Sequence, residues 1–131
     1  MTHVLVTGLG AVTPLGGDAA TTWEGLLAGR SGVARIEDDW ADPLPVRIAG
    51  RVATDPAEHL TVPQTRRLDR AEQFAMIAGR EAWSDAGSPA VDPERFAVVV
   101  GSAIGGLTTM LEQQARLQES PRRVSPHTVT M

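Results

Sequence analysis

Val4-Leu5-Val6-Thr7-Gly8-Leu9-Gly10-Ala11-Val12-Thr13-Pro14-Leu15-Gly16 is the stretch whose reading decides the fold. Residues 3–9 are β-branched and apolar, show no helical spacing and run into glycines. That pattern predicts a central strand buried on both faces. The glycines let the backbone leave the strand sharply, and Thr13-Pro14-Leu15-Gly16 reads as a corner. A short helix is expected next. Thr21 or Thr22 is its expected cap, Thr21 and Glu24 have capping-box spacing, and Trp23, Leu26 and Leu27 share one face. Gly29 is placed to stop that helix in the left-handed conformation.

Outward from this opening, residues 30–45 carry mixed charge with Pro43 and Pro45 and read as surface loop. Val46-Arg47-Ile48-Ala49-Gly50-Arg51-Val52 alternates and reads as a short exposed strand. Residues 53–64 show little pattern. From Thr65 to about Ala86 the spacing predicts one long helix, with Leu68, Ala71, Ala75, Ala78 and Ala82 on a seam widened by Phe74, Ile77 and Trp83. The seam is mostly alanine, so whatever packs on it comes close. Gly87 is a natural stop. A Pro-containing loop over 88–95 leads to Phe96-Ala97-Val98-Val99-Val100-Gly101, a second expected buried strand. A third helix is expected over roughly 106–118, with Leu107, Met110, Leu111 and Leu117 inward. The run Thr128-Val129-Thr130-Met131 begins another β-like pattern.

Strands alternating with helices argue an α/β layer with a mostly parallel sheet. Two buried strands and three helices make a poor closed sheet, so the expectation is part of a larger α/β unit. The composition is globular, with 42% hydrophobic and 21% charged residues. A net charge of -4 gives no reason to expect nucleic acid or an anionic membrane as partner. No stretch is long enough to span a membrane, and the early glycines and proline argue against a signal peptide, so the cytoplasm is the expected compartment. The basic residues are all Arg, which excludes a Schiff-base or P-loop lysine within this sequence. The absence of Cys excludes disulfides, thiolate metal sites and a cysteine nucleophile among these residues.

Gly8-Leu9-Gly10 after a strand invites a dinucleotide reading, but position 13 is Thr, Pro14 follows and the helix starts late. A structural turn explains these glycines better. Gly101-Ser102-Ala103-Ile104-Gly105-Gly106 is either a structural turn or a pocket wall, and Ser102 lacks the context of a nucleophile elbow. His3, His59 and His127 are scattered without metal spacing. Glu37, Asp38 and Asp39 form a solvated acidic loop. Arg66, Arg67 and Arg70 cluster in the first turns of the expected long helix, where they oppose its dipole. They form either a solvated face or a docking patch for an acidic or phosphorylated partner.

Several segments in order resemble the β-ketoacyl synthases, in particular the amino-terminal part of the type II elongating class. They are residues 6–16, Thr-Trp-Glu-Gly-Leu-Leu-Ala-Gly-Arg-Ser-Gly at 22–32, Arg-Ile-Ala-Gly at 47–50 and Arg-Arg-Leu-Asp-Arg at 66–70. Gly-Ser-Ala-Ile-Gly-Gly-Leu at 101–107 and Pro-Arg-Arg-Val-Ser-Pro at 121–126 complete the set. The resemblance implies that residues 1–131 are the amino-terminal portion of an incomplete thiolase-like fold: a mostly parallel mixed sheet with packed helices, from a homodimeric protein.

The implied activity is acyl transfer to a cysteine, decarboxylation of malonyl carrier protein and Claisen condensation to a 3-oxoacyl product in fatty-acid biosynthesis. In that pattern the cysteine and both histidines lie beyond Met131, so no catalytic residue is expected in this sequence. No cofactor is implied, because the phosphopantetheine belongs to the acyl carrier protein. Ile104 matches the acyl-pocket gate, and Arg66 and Arg67 match basic positions that contact the carrier protein. His127-Thr128-Val129 departs from the aromatics usual near the dimer interface. A polyketide ketosynthase, a chain-length-factor relative and a non-catalytic carrier-binding protein are the competing expectations.

Overall fold

The computed structural model describes residues 3–126 and 128. It is an α/β chain that divides into two compact units. One comprises Met1–Asp55 with Ala78–Pro89, the other Pro56–Ile77 with Ala90–Met131. The helices are α1 (Ala19–Leu27), α2 (Val62–Arg67), α3 (Arg70–Asp85) and α4 (Leu107–Glu119), and the strands are β1 (Val33–Arg35) and β2 (Ile48–Gly50). Helix α3 is continuous through the boundary between the units.

In the first unit, β1 and β2 pair antiparallel with Val33 opposite Gly50, Ala34 opposite Ala49 and Arg35 opposite Ile48. β2 falls where alternation placed an exposed strand. β1 lies inside the stretch read as loop, because three residues with charged neighbours carry too little pattern to register. Pro14 fits against two glycines of this ladder region. A Cβ on Gly32 would stand 2.6 Å from the Pro14 Cβ, and one on Gly50 would stand 3.1 Å from its Cγ.

The glycine turn packs on the carboxyl-terminal half of α3. A Cβ at Gly8 would lie 2.1 Å from the Ala82 carbonyl oxygen, and one at Gly10 would lie 2.0 Å from that of Ala78. The alanine seam thus receives bare backbone, the close approach its composition predicts. Side chains of α3 then bind the free amides of the turn. Leu9 N–H donates to the Asp85 carboxylate (2.9 Å), Ala11 N–H donates to Glu81 (2.8 Å), and Ala19 N–H donates to the other Glu81 oxygen (2.8 Å).

Helix α1 is capped by Asp18, not by Thr21 or Thr22. The Asp18 carboxylate accepts from Thr21 N–H at 2.6 Å and from its hydroxyl at 2.7 Å. Those two bonds, backbone first, hold the Asp18 carboxyl below the usual carboxylate range. The helix therefore starts earlier than threonine caps would place it, and Thr22 is free to meet Thr13, hydroxyl to hydroxyl, at 2.9 Å. At the other end, Gly29 has φ +62°, with Gly29 N–H bonded to Leu26 and Arg30 N–H bonded to Gly25. Gly87 ends α3 the same way, with φ +79° and bonds from Gly87 to Ser84 and from Ser88 to Trp83. Both are Schellman closures, as the glycine positions predict.

Several expectations fail. Residues 3–9 and 96–101 form no strand and enter no ladder among the described residues. Val4 is 92% and Val99 91% exposed, so neither is a buried strand here. A strand needs a second segment to accept its amides, and no described segment does so. The mostly parallel sheet is accordingly replaced by the small antiparallel pair. Leu107, Met110, Leu111 and Leu117 of α4 are exposed rather than inward, and Trp23, Leu26 and Leu27 of α1 are exposed as well. The buried positions are Gly25 on α1 and Gln113 on α4, so small size and hydrogen bonding mark the packed faces. The predicted helix over 65–86 is two helices, broken at Leu68-Asp69. Val129 to Met131 of the terminal run lie outside the described residues.

Two outcomes follow from this packing. Gly10→Ala is expected to cost about 1–3 kcal/mol by overpacking backbone, whereas Gly79→Ala, with open space at its Cβ, is expected to stabilise α3 by roughly 0.5–1 kcal/mol. Urea-unfolding midpoints moving the same way for both would contradict the packing. The 131-residue chain alone is also expected to self-associate through its uncovered apolar segments. A monomeric sedimentation profile with a cooperative melt would refute that.

Candidate functional site

The site lies in the second unit, where α2, α3 and α4 have adjoining ends. Thr61 opens α2, and the Gln64 side-chain oxygen accepts from both Thr61 N–H (3.0 Å) and the Thr61 hydroxyl (3.1 Å). Leu68 then adopts extended dihedrals (φ -96°, ψ 134°) and the helix stops. Asp69 starts α3 at once. Its carboxylate accepts from Ala71 N–H at 3.1 Å, while Glu72 accepts from Asp69 N–H at 2.9 Å. Asp-x-x-Glu is a capping signal, and it was legible at 69–72. The apolar seam running through Leu68 and Ala71 conceals it.

Asp69 also caps a second helix. The residue before α4 is Gly106, which has no side chain to offer its first amides. The other Asp69 oxygen accepts from Thr109 N–H at 2.9 Å and from the Thr109 hydroxyl at 2.7 Å. One carboxylate thereby sits at the amino-terminal ends of two helices, where both dipoles favour negative charge. Asp69 is only 5% exposed. Burial opposes its ionisation, but the bonds from Thr109 and from the Ala71 and Arg70 amides outweigh it, holding the carboxyl below the usual range. Nearby, buried Gln113 accepts from Ser125 N–H at 2.9 Å. Gln73 donates through one amide nitrogen to the carbonyls of Thr65 (3.0 Å) and Leu68 (2.8 Å). None of these polar anchors was picked out from the sequence.

Above them opens a cleft of about 380 Å³ walled in part by Arg66, Arg67, Arg70 and Arg116. Arg66 and Arg67 are exposed in the last turn of α2. The break at Leu68-Asp69 thus reverses the dipole reading for this pair, because cations at a helix carboxyl end are favourable. Arg70 opens α3, its guanidinium 4.9 Å from the centre of the Phe74 ring. Arg116 stands 3.9 Å from Glu112, both well exposed.

Ile104 is 61% exposed, in the turn before α4. That turn is shaped by Gly105 at φ +71° and by a bond from Gly105 N–H to the Ser102 hydroxyl at 2.9 Å. His3 and His59 are exposed, and His127 lies outside the described residues. Among the described residues no three His, Cys, Asp or Glu groups converge as metal ligands, and no helix is long and apolar enough to cross a membrane. In the glycine turn, the Leu9 and Ala11 amides are already bonded to carboxylates. That agrees with reading the turn as structural rather than phosphate-binding.

Residues 1–131 match the family model of the beta-ketoacyl synthase N-terminal domain. The chain belongs to that family. It is 39% identical over 133 residues to the 3-oxoacyl-[acyl-carrier-protein] synthase 2 of Staphylococcus aureus strain N315, covering 98% of this chain and 32% of that protein. The protein of the same name from Coxiella burnetii is 40% identical over 128 residues, covering 95% of this chain and 31% of its own length. The chain therefore spans about a third of the curated relatives it matches.

The lowered Asp69 carboxyl fixes the sign of one pH effect. Its contribution to stability is complete above the ordinary value of 3.8 and is lost as pH falls through the lower folded value. Asp69→Asn is expected to reduce Tm near neutrality and to flatten the decline below pH 3.8. Parallel Tm curves for the two proteins in that acid range would contradict the assignment.

Proposed function

We propose that this chain is the amino-terminal portion of a 3-oxoacyl-[acyl-carrier-protein] synthase and that its Arg66-Arg67 face receives an acidic acyl carrier protein. The observation that carries the reading is a pair of exposed arginines beside a cleft, in a family member whose net charge is -4. A positive patch on an otherwise acidic surface orients an acidic partner and repels wrong approaches. The name of the relatives, 3-oxoacyl-[acyl-carrier-protein] synthase 2, supports carrier protein as the partner class.

In this reading the complete protein has a thiolase-like fold, acts as a soluble cytoplasmic homodimer and condenses an acyl thioester with malonyl carrier protein. The nucleophilic cysteine and its histidine partners belong to the rest of that protein. The acyl group passes to the thiol with release of the carrier's pantetheine thiol. Loss of carbon dioxide from the malonyl group then leaves a carbanion that attacks the acyl-enzyme carbonyl, returning the enzyme thiol and giving the 3-oxoacyl product. The phosphopantetheine arrives on the carrier, so no other cofactor is invoked. Ile104, exposed in its glycine-shaped turn, is the residue we assign as the gate to the acyl pocket.

Arg66→Glu combined with Arg67→Glu in the complete synthase is expected to weaken carrier-protein affinity about tenfold or more at low salt, with the difference shrinking as salt rises. Titration calorimetry or fluorescence anisotropy at two ionic strengths measures it. Unchanged affinity at low salt would remove the docking assignment. Release of polyketide chains rather than a single 3-oxoacyl product would favour the polyketide relative.

A further inference from the structure

We propose that Gln73 is a positioning residue for the docking arginines, supported by Asp69. The proposal rests on the carrier-docking reading above. The carbonyls that Gln73 holds belong to Thr65 and Leu68, the residues immediately flanking Arg66-Arg67. One side-chain amide on α3 therefore clamps the backbone on both sides of the pair.

The clamp matters because α2 has only six residues. A helix that short has little stability of its own, and its last carbonyls have no partners within it. Gln73 supplies partners for the Thr65 carbonyl and for the Leu68 carbonyl just past the helix end. Asp69 fixes the next joint by capping α3 and α4 with one carboxylate. Three helix ends are thus tied into one hydrogen-bonded knot, and the arginines project from its rim. Presenting two long cationic side chains from a fixed backbone lowers the ordering cost of binding. It adds nothing to the chemistry of condensation.

The test is a KM-against-kcat comparison in the complete synthase. Gln73→Met keeps length and helix propensity but removes both donated bonds. It is expected to raise KM for malonyl carrier protein about five- to tenfold, with kcat unchanged. Turnover of malonyl-pantetheine, which lacks the protein partner, should be unaffected. Glu81→Gln serves as the structural comparison, because it weakens the bonds that the Ala11 and Ala19 amides donate within the first unit. It should lower Tm without a carrier-selective rise in KM.

An equal KM rise in both variants, or equal losses with both substrates, would overturn the positioning role. If Gln73→Met does not fold, Gln73→Asn withdraws the donors while keeping polarity and is judged by the same criteria. The Arg66→Glu, Arg67→Glu protein separates the two layers. If it leaves KM unchanged, the docking reading falls. If it raises KM while Gln73→Met does not, only the positioning role falls.

Discussion

Glu81 accepts the amides of both Ala11 and Ala19, and the first unit is organised around that bridging carboxylate. It can reach them because Gly8 and Gly10 let the turn settle against the Ala78 and Ala82 carbonyls, where any larger residue would clash. Asp85 takes the neighbouring amide of Leu9. The Leu9 and Ala11 amides are satisfied by helix side chains where a sheet would use a second strand. The second unit repeats the device, with Asp69, the residue before α3, satisfying the Thr109 amide in the first turn of α4. In both units, carboxylates held against backbone N–H groups position the segments more than apolar burial does, since few large side chains are buried.

Much of the local structure was legible because its causes are local. Gly29 and Gly87 announce left-handed helix ends, and both carry positive φ with Schellman bonds. The alanine seam of α3 announces a close neighbour, and the glycine turn is that neighbour. What was misread involves competition or distance. Asp18 outcompetes Thr21 as a cap because it lies one helical turn earlier and binds Thr21 through both its amide and its hydroxyl. The break at 68–69 was concealed because apolar spacing runs straight through it, while the capping pair Asp69 and Glu72 works against that periodicity. The double role of Asp69 could not be read from spacing, since Thr109 is distant in sequence.

Family membership and site geometry divide the functional question. Similarity extends over nearly the whole chain, yet the sequence contains no cysteine. Acidic groups such as Asp18, Asp69, Glu81 and Asp85 are engaged with backbone amides. The cationic side chains Arg66 and Arg67 lie on the exposed wall of a cleft, where Arg116 stands beside Glu112. This arrangement gives a net acidic chain a local positive face.

The exposed apolar runs point the same way. Val4-Leu5-Val6 and Val98-Val99-Val100 are continuous rather than alternating, the pattern of strands covered on both faces. A solvent-facing edge strand would be expected to alternate or to carry charge. Their exposure here measures neighbours that the described residues do not supply. The first run leads directly into the glycine turn, which Asp85 and Glu81 fix to α3 through the Leu9 and Ala11 amides, so its carboxyl-terminal end is anchored by charged hydrogen bonds while its valines stay exposed.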